Sequence, residues 1–133
     1  MKYLADRHTA TFQQQVLTDF LTEGHFERHL RRARTSNERR RATLLGALNQ
    51  HLGDRVSVEG ANAGLHMLVW LEGVRPSRLE DIARRAAAGG VGVYPVTRYY
   101  LRPPTRAGLL LGYAAMTEPD IRVGIKKLAA VIP

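Results

Sequence analysis

Cysteine is missing from this chain altogether and lysine is scarce, occurring only as Lys2, Lys126 and Lys127. Without thiols there is no disulfide framework, no thiolate nucleophile and no thiolate metal site. No apolar run approaches the roughly 18 residues that a membrane-spanning helix needs, so no membrane partner is expected. The opening Met1-Lys2-Tyr3-Leu4-Ala5-Asp6-Arg7 lacks the apolar core and small-residue cleavage site of a secretory signal, which points to the cytoplasm. Repeats and low-complexity tracts are also lacking. A chain of 133 residues has room for one fold around one core and little else.

Arginine, by contrast, is abundant. Twenty Lys and Arg stand against 12 Asp and Glu, a formal net charge of +8. The excess is densest where Arg28, Arg31, Arg32, Arg34, Arg39, Arg40 and Arg41 are offset only by Glu38. A basic surface gains affinity for polyanions through counterion release. One reading is therefore a stand-alone nucleic-acid-binding module using Arg31, Arg32, Arg34, Arg39, Arg40 and Arg41. The other is solvated helix faces in a chain biased toward Arg and Ala. The aromatic residues that would stack on single-stranded bases are absent from this stretch.

Phe12, Val16, Leu17, Phe20 and Leu21 recur at helical spacing and predict a first helix from about Thr9 to Arg32. Gly24 and His25 should bend or break it. A second helix is expected after the capping oxygens of Thr35-Ser36-Asn37, with Leu44, Leu45, Leu48 and Leu52 on one face and Gly53-Asp54 at its end. The period then changes to two. Val56 and Val58 alternate with polar neighbours, and His66 to Leu71 is a short apolar run between Gly64 and Gly73, so both read as strands. Pro76-Ser77-Arg78-Leu79-Glu80 has the form of a capping box opening a helix that Gly89-Gly90 closes. Val91 to Tyr94 and Leu109 to Tyr113 read as further strands, and Thr117-Glu118-Pro119-Asp120 as the cap of a last helix burying Ile121, Ile125, Leu128 and Ile132. The sum predicts an α+β domain: a small, mostly antiparallel sheet with helices on one face, preceded by two long helices that should pack on it.

Little here could perform chemistry. His25 and His29 have the i, i+4 spacing of two metal ligands on a helix face, but no third ligand follows at a diagnostic distance, so a role at the helix bend is the expectation. His66, inside an apolar strand, reads as a core or interface histidine. Ser36, Ser57 and Ser77 fall in a loop, a strand and a cap, none of them a nucleophile elbow. Gly89 to Val93 runs from helix into strand, the reverse of a phosphate cradle.

One ordered set of short motifs says more. Phe20-Leu21-Thr22-Glu23-Gly24-His25, His29-Leu30-Arg31-Arg32-Ala33-Arg34, Arg39-Arg40, Leu44-Leu45, Gly64-Leu65-His66, Gly90-Val91 to Pro95 and Leu109 to Ala114 together resemble the C-terminal end of the MocR type of GntR-family transcriptional regulators. Those proteins join a winged-helix DNA-binding domain to an aminotransferase-like domain of fold type I that binds pyridoxal phosphate. The resemblance covers nearly the whole chain. It implies that residues 1–53 are a helical segment leading out of a missing large domain and that 54–133 are the small C-terminal domain that closes over substrate. It further implies a homodimeric parent that binds DNA through its missing winged helix.

The same resemblance places the Schiff-base lysine upstream of this region, and Lys2, Lys126 and Lys127 do not fit that position. Pyridoxal phosphate is thus expected in the parent protein and not covalently on this chain, which should not be catalytic alone. Asn37 stands where the family usually has tyrosine. Leu110 aligns with the arginine that aminotransferases of this fold use for the substrate carboxylate, so that bidentate clamp is missing. Arg102 or Arg106 could hold a carboxylate instead, the alternative being a solvated loop arginine. Apolar helix faces made to lie on a missing domain should be exposed, which predicts self-association.

Overall fold

A computed structural model describes residues 10–60, 64–102 and 104–133. Thr9, the expected start of the first helix, and Lys2 lie outside the described residues. The chain divides into two compact units, Met1–Ser36 and Asn37–Pro133.

In the first unit, helix α1 (Thr11–Thr22) ends where Gly24 takes a left-handed φ of 73°, and α2 (His25–His51) begins at once. The expected break at Gly24-His25 is therefore present, since glycine alone enters that region without a Cβ penalty. No residue of α1 is buried, and Phe12 is 75% exposed. The predicted second helix start is also corrected. Thr35, Ser36 and Asn37 lie inside continuous α2, and the Thr35 hydroxyl donates back to the Arg31 carbonyl at 3.1 Å. A threonine inside a helix whose hydroxyl bonds the preceding turn lacks the extended backbone that a capping residue needs.

In the second unit, the remainder of α2 delivers Leu44, Ala47 and Leu48 to the core, with Leu52 just beyond the helix. A 3-10 turn, Gly53–Arg55, leads into β1 (Val56–Glu59), followed by β2 (His66–Leu71). Leu44 to Leu52 share one core with the strands, within the compact unit that starts at Asn37.

The expected capping box does not form. Pro76–Arg78 is a 3-10 turn with no side-chain cap, its Arg78 amide bonded to the Arg75 carbonyl at 2.9 Å, and α3 (Leu79–Ala88) starts after it. Pro76 has already set the turn, so Ser77 never adopts the extended backbone a capping residue needs. At the other end Gly90 takes φ 79° and the Val91 amide reaches back to the Ala86 carbonyl at 2.9 Å. That bond removes Val91 from any ladder, and the predicted strand from Val91 shrinks to β3 (Tyr94–Pro95). β4 (Ala107–Gly112) begins two residues earlier than predicted and stops before Tyr113. The last helix, α4 (Glu118–Ala129), is capped as read: the Thr117 hydroxyl accepts from the Asp120 amide at 3.3 Å.

The sheet order is β1-β2-β4-β3, every pair antiparallel. Pro95, which lacks an N–H, sits on the edge strand where that loss is tolerated. Register places Met67, Val69 and Leu71 opposite Leu111, Leu109 and Ala107 on one face. These meet Leu79, Ile82 and Ala86 of α3 and Ile121, Ile125 and Leu128 of α4, with Ile132 beyond, in one cluster. Fully burying a side chain of this size contributes about 1.5–3 kcal/mol, so this face holds the unit together. The α+β class and the helices on one face agree with the sequence reading. No helix of the described residues is long and apolar enough to cross a membrane.

Candidate functional site

The opposite face of the sheet carries the polar chemistry. A strand alternates sides every residue, so Ser57 and Glu59 of β1, Trp70 of β2 and Glu72 just past it, and Gly108 and Leu110 of β4 all face away from the core. Trp70 lies opposite Gly108, and a Cβ there would stand 2.7 Å from Trp70 Cε3 and 3.0 Å from Val96 Cγ2. Glycine is thus what lets the indole lie flat on the sheet. The indole Nε1 is buried without a hydrogen-bond partner among the described residues.

Arg106, just before β4, lays its guanidinium 4.8 Å from the centre of the Trp70 ring, a cation–π contact. The same group donates to Ser57 Oγ at 2.8 Å and Glu72 Oε1 at 3.1 Å, and lies 3.4 Å from Glu59 Oε1. Ser57 passes the bonding on by donating to Glu72 Oε1 at 2.8 Å. The Ser57 hydroxyl first, and the Arg106 guanidinium after it, hold the Glu72 carboxyl below its ordinary range. Of the two loop arginines nominated for a ligand carboxylate, Arg106 is therefore already engaged by two carboxylates. Arg102 is exposed, next to the exposed Tyr99, Tyr100 and Leu101.

Leu110, where the resemblance leaves the clamp missing, is half-buried between Leu68 and Tyr94 in the register. Four residues of strand, about 13 Å, separate it from Arg106. The sheet face thus grades from an apolar end at Leu68, Leu110 and Tyr94 to a charged end at Arg106.

The arginines of the nucleic-acid reading have different fates. Arg31, Arg32 and Arg34, in the first unit, are exposed. In the second unit Arg39 is exposed and its Nε lies 4.0 Å from Glu118 Oε1. Arg40 is half-buried, donating to the Ala114 carbonyl at 2.5 Å and to Asn37 Oδ1 at 3.4 Å, and Arg41 is half-buried as well. Three consecutive residues on an α-helix point about 100° apart, so Arg39 to Arg41 form no single phosphate-facing row. Arg40 instead ties α2 to the turn after β4.

Other sequence candidates resolve plainly. His66 is exposed at the start of β2, not in the core, and Gly112 across the ladder makes room for its ring: a Cβ there would be 3.2 Å from His66 Cδ2. Among the described residues no three or more His, Cys, Asp or Glu gather as a metal site. The amides of Gly89, Gly90 and Val91 are spent on the last carbonyls of α3, so the glycine turn offers no cradle there. Lys127 donates to the Gly89 carbonyl at 3.0 Å, and both Lys126 and Lys127 are exposed on α4.

Sequence reasoning missed Trp70, Ser57, Glu59 and Glu72 as partners of Arg106. The signal was present in the alternation Ser57-x-Glu59 and Trp70-x-Glu72, which puts all four on one face once the strands pair.

No protein-family model matches this chain. The chain is 36% identical over 128 residues, 96% of its length, to an uncharacterized HTH-type transcriptional regulator, YhdI, of Bacillus subtilis, of which it spans 26%. It is 31% identical over 115 residues, 86% of its length, to a probable rhizopine catabolism regulatory protein, MocR, of Rhizobium meliloti, of which it spans 23%. In structure it superposes with a TM-score of 0.81 and 25% identity on a multiple substrate aminotransferase from Thermococcus profundus, covering 98% of this chain and 32% of that one. The chain thus spans about a quarter of the length of the curated regulators it matches. This chain is thus similar in sequence to HTH-type transcriptional regulators that include MocR and similar in structure to aminotransferases, which a C-terminal fragment of the MocR type fits.

Proposed function

We propose that this chain is the small domain of a pyridoxal-phosphate-dependent, aminotransferase-like transcriptional regulator, closing over an effector held on a larger cofactor-bearing domain. Residues 1–53 would lead out of that large domain and residues 54–133 would form the closing part. The chain contributes closure and dimer contacts in a cytoplasmic homodimer, while DNA is bound by the winged helix of the parent. It is not catalytic by itself. When bound in the parent, the cofactor supplies an electrophilic aldehyde that captures an amine. The part of this chain is to wall the site with the apolar end of the sheet face and to offer Arg102 to an anionic group of the effector.

The observation that carries this reading is the superposition of nearly the whole chain on one third of an aminotransferase. The uncovered apolar row of α1 supports it, being a face built to lie against something. The test is the mass of the native gene product, detected in cell extract with an antibody to this region. A chain several times heavier than 14.9 kDa, whose purified form absorbs in the visible through a lysine-bound cofactor, is expected. A native product of 14.9 kDa would overturn the reading, and steeply salt-dependent binding of such a product to nucleic acid would put the arginine module in its place.

A further inference from the structure

After β3 the chain makes a 3-10 turn, Val96–Tyr99, and Tyr100 leaves that turn in extended backbone. Tyr99 is 67% exposed, Tyr100 49%, and Leu101 wholly so. Single exposed apolar residues are common, but three large ones in a row make a patch that gains by being covered. Beside them, between the turn and the start of α3, lies an open groove of about 410 Å³ walled by Pro76, Ser77, Glu80, Thr97, Tyr100 and Leu101. Arg98 Nη2 donates to Glu80 Oε2 at 3.3 Å, and the exposed Glu80 carboxylate keeps lone pairs for a second donor. Arg102, one residue past the protruding leucine, is exposed and makes no hydrogen bond or ion pair with any described residue. An apolar protrusion, a hollow, an unpaired cation and an accessible carboxylate thus stand side by side.

We propose that this patch is a two-fold contact between copies of the chain, each Leu101 seated in the groove of the other copy and each Arg102 paired with the other copy's Glu80. A protrusion next to a hollow is what a two-fold axis between them needs, because the rotation that carries one leucine into the second groove carries the second leucine back. The charges obey the same rotation, and both ion pairs form without breaking the Arg98 bond. A purely acidic occupant would meet Glu80 in the groove, and a purely basic one would meet Arg98 and Arg102. A surface with an apolar knob and both signs of charge around it satisfies all three, and this patch is itself such a surface. The contact is small, so its dissociation constant should be roughly 0.1–1 mM. The net charge of +8 opposes it at low ionic strength and is screened by salt. The inference concerns these 133 residues alone and does not rest on the reading of the parent protein. An effector at Arg102 would compete for the same guanidinium, and the test contains none.

The test is sedimentation of the full 133-residue chain over a concentration series in moderate salt, alone and with Phe12→Ser and Leu17→Ser in place to silence α1. Arg102→Glu sets Glu against Glu at both contacts of a homodimer, and Glu80→Arg sets Arg against Arg. Each should weaken association at least about tenfold. An equal mixture of the two variants restores opposite charges at both contacts and should associate within about twofold of the unaltered chain. Association through α1 would be blind to these reversals. If Glu80→Arg disturbs the start of α3 by circular dichroism, Leu101→Ser decides, because a side chain wholly in solvent can be replaced without loss to the monomer. It should weaken association about tenfold or more. A chain that stays monomeric throughout the series would overturn the contact. So would Leu101→Ser or Arg102→Glu associating like the unaltered chain, or a mixture no better than its separate components.

Discussion

The two units of this chain use the same raw material to opposite ends. In Asn37–Pro133, helices bring Leu48, Leu79, Ile82 and Leu128 against a sheet that covers them almost completely. In the described part of Met1–Ser36, Phe12, Val16, Leu17, Phe20, Leu21 and Phe26 recur with equal regularity and remain exposed. Helical periodicity marks a face that is made to be covered, but only a partner surface turns that face into a core. One unit contains its partner surface and the other does not.

The largest effect that would break this comparison is a core deletion. Leu109→Ala removes a fully buried side chain facing Val69 and Pro95 and should cost about 2–5 kcal/mol in urea unfolding, whereas Leu17→Ala on α1 should stay within about 0.5 kcal/mol. Comparable losses at both sites would mean that α1 is covered after all. Next comes Gly108→Ala. The new methyl would overlap the Trp70 ring and should destabilise by about 1–3 kcal/mol, with a change in tryptophan fluorescence as the indole is displaced. Removing the cap of α4 with Thr117→Ala is expected to cost about 1 kcal/mol, read as a lower urea midpoint at an unchanged slope.

Two smaller effects sharpen the contrast from the exposed side. Replacing Phe12 and Leu17 with Ser should shift the size-exclusion profile toward monomer without lowering the unfolding midpoint. An unchanged profile would show that α1 does not drive association. The last test concerns Glu72, whose carboxyl is held below its ordinary range in the folded chain. A depressed carboxyl contributes stability above the unfolded value, near 4.3, and loses it as pH falls through the lower folded value. Glu72→Gln should therefore flatten the acid limb of the stability curve below about pH 4.5 and leave the stability change between pH 6 and 8 untouched. An unaltered acid limb would mean that Ser57 and Arg106 do not hold the carboxylate.

The strands of the sheet were readable because strand alternation and short apolar runs are local signals. Val56 and Val58, His66 to Leu71 and Leu109 to Tyr113 announced strands without any partner, but a continuous apolar run does not say which of its sides is buried. Helix boundaries were less legible. Thr35-Ser36-Asn37 looked like a cap because oxygen-bearing side chains favour both a new helix start and a bond to the previous turn, and nothing local chooses between them. Ser77 looked like a cap because the pattern holds no record of the turn that Pro76 had already begun. At the candidate site Arg106 was visible as a cation, but not as one already engaged.

By itself, then, the sequence determined the class of fold, the place of three of its strands, the break at Gly24, the cap at Thr117 and the likeness to MocR-type regulators. Each of these depends on residues a few positions apart or on an ordered set of motifs. Tertiary structure alone decided that Arg106 is held by Ser57, Glu59 and Glu72, that Arg40 reaches the Ala114 carbonyl, and that the row on α1 stays bare. Arg106 and Ser57 are 49 positions apart, and Arg40 and Ala114 are 74. Contacts across such separations exist only once the strands have paired and the helices have docked, so no local spacing could have announced them.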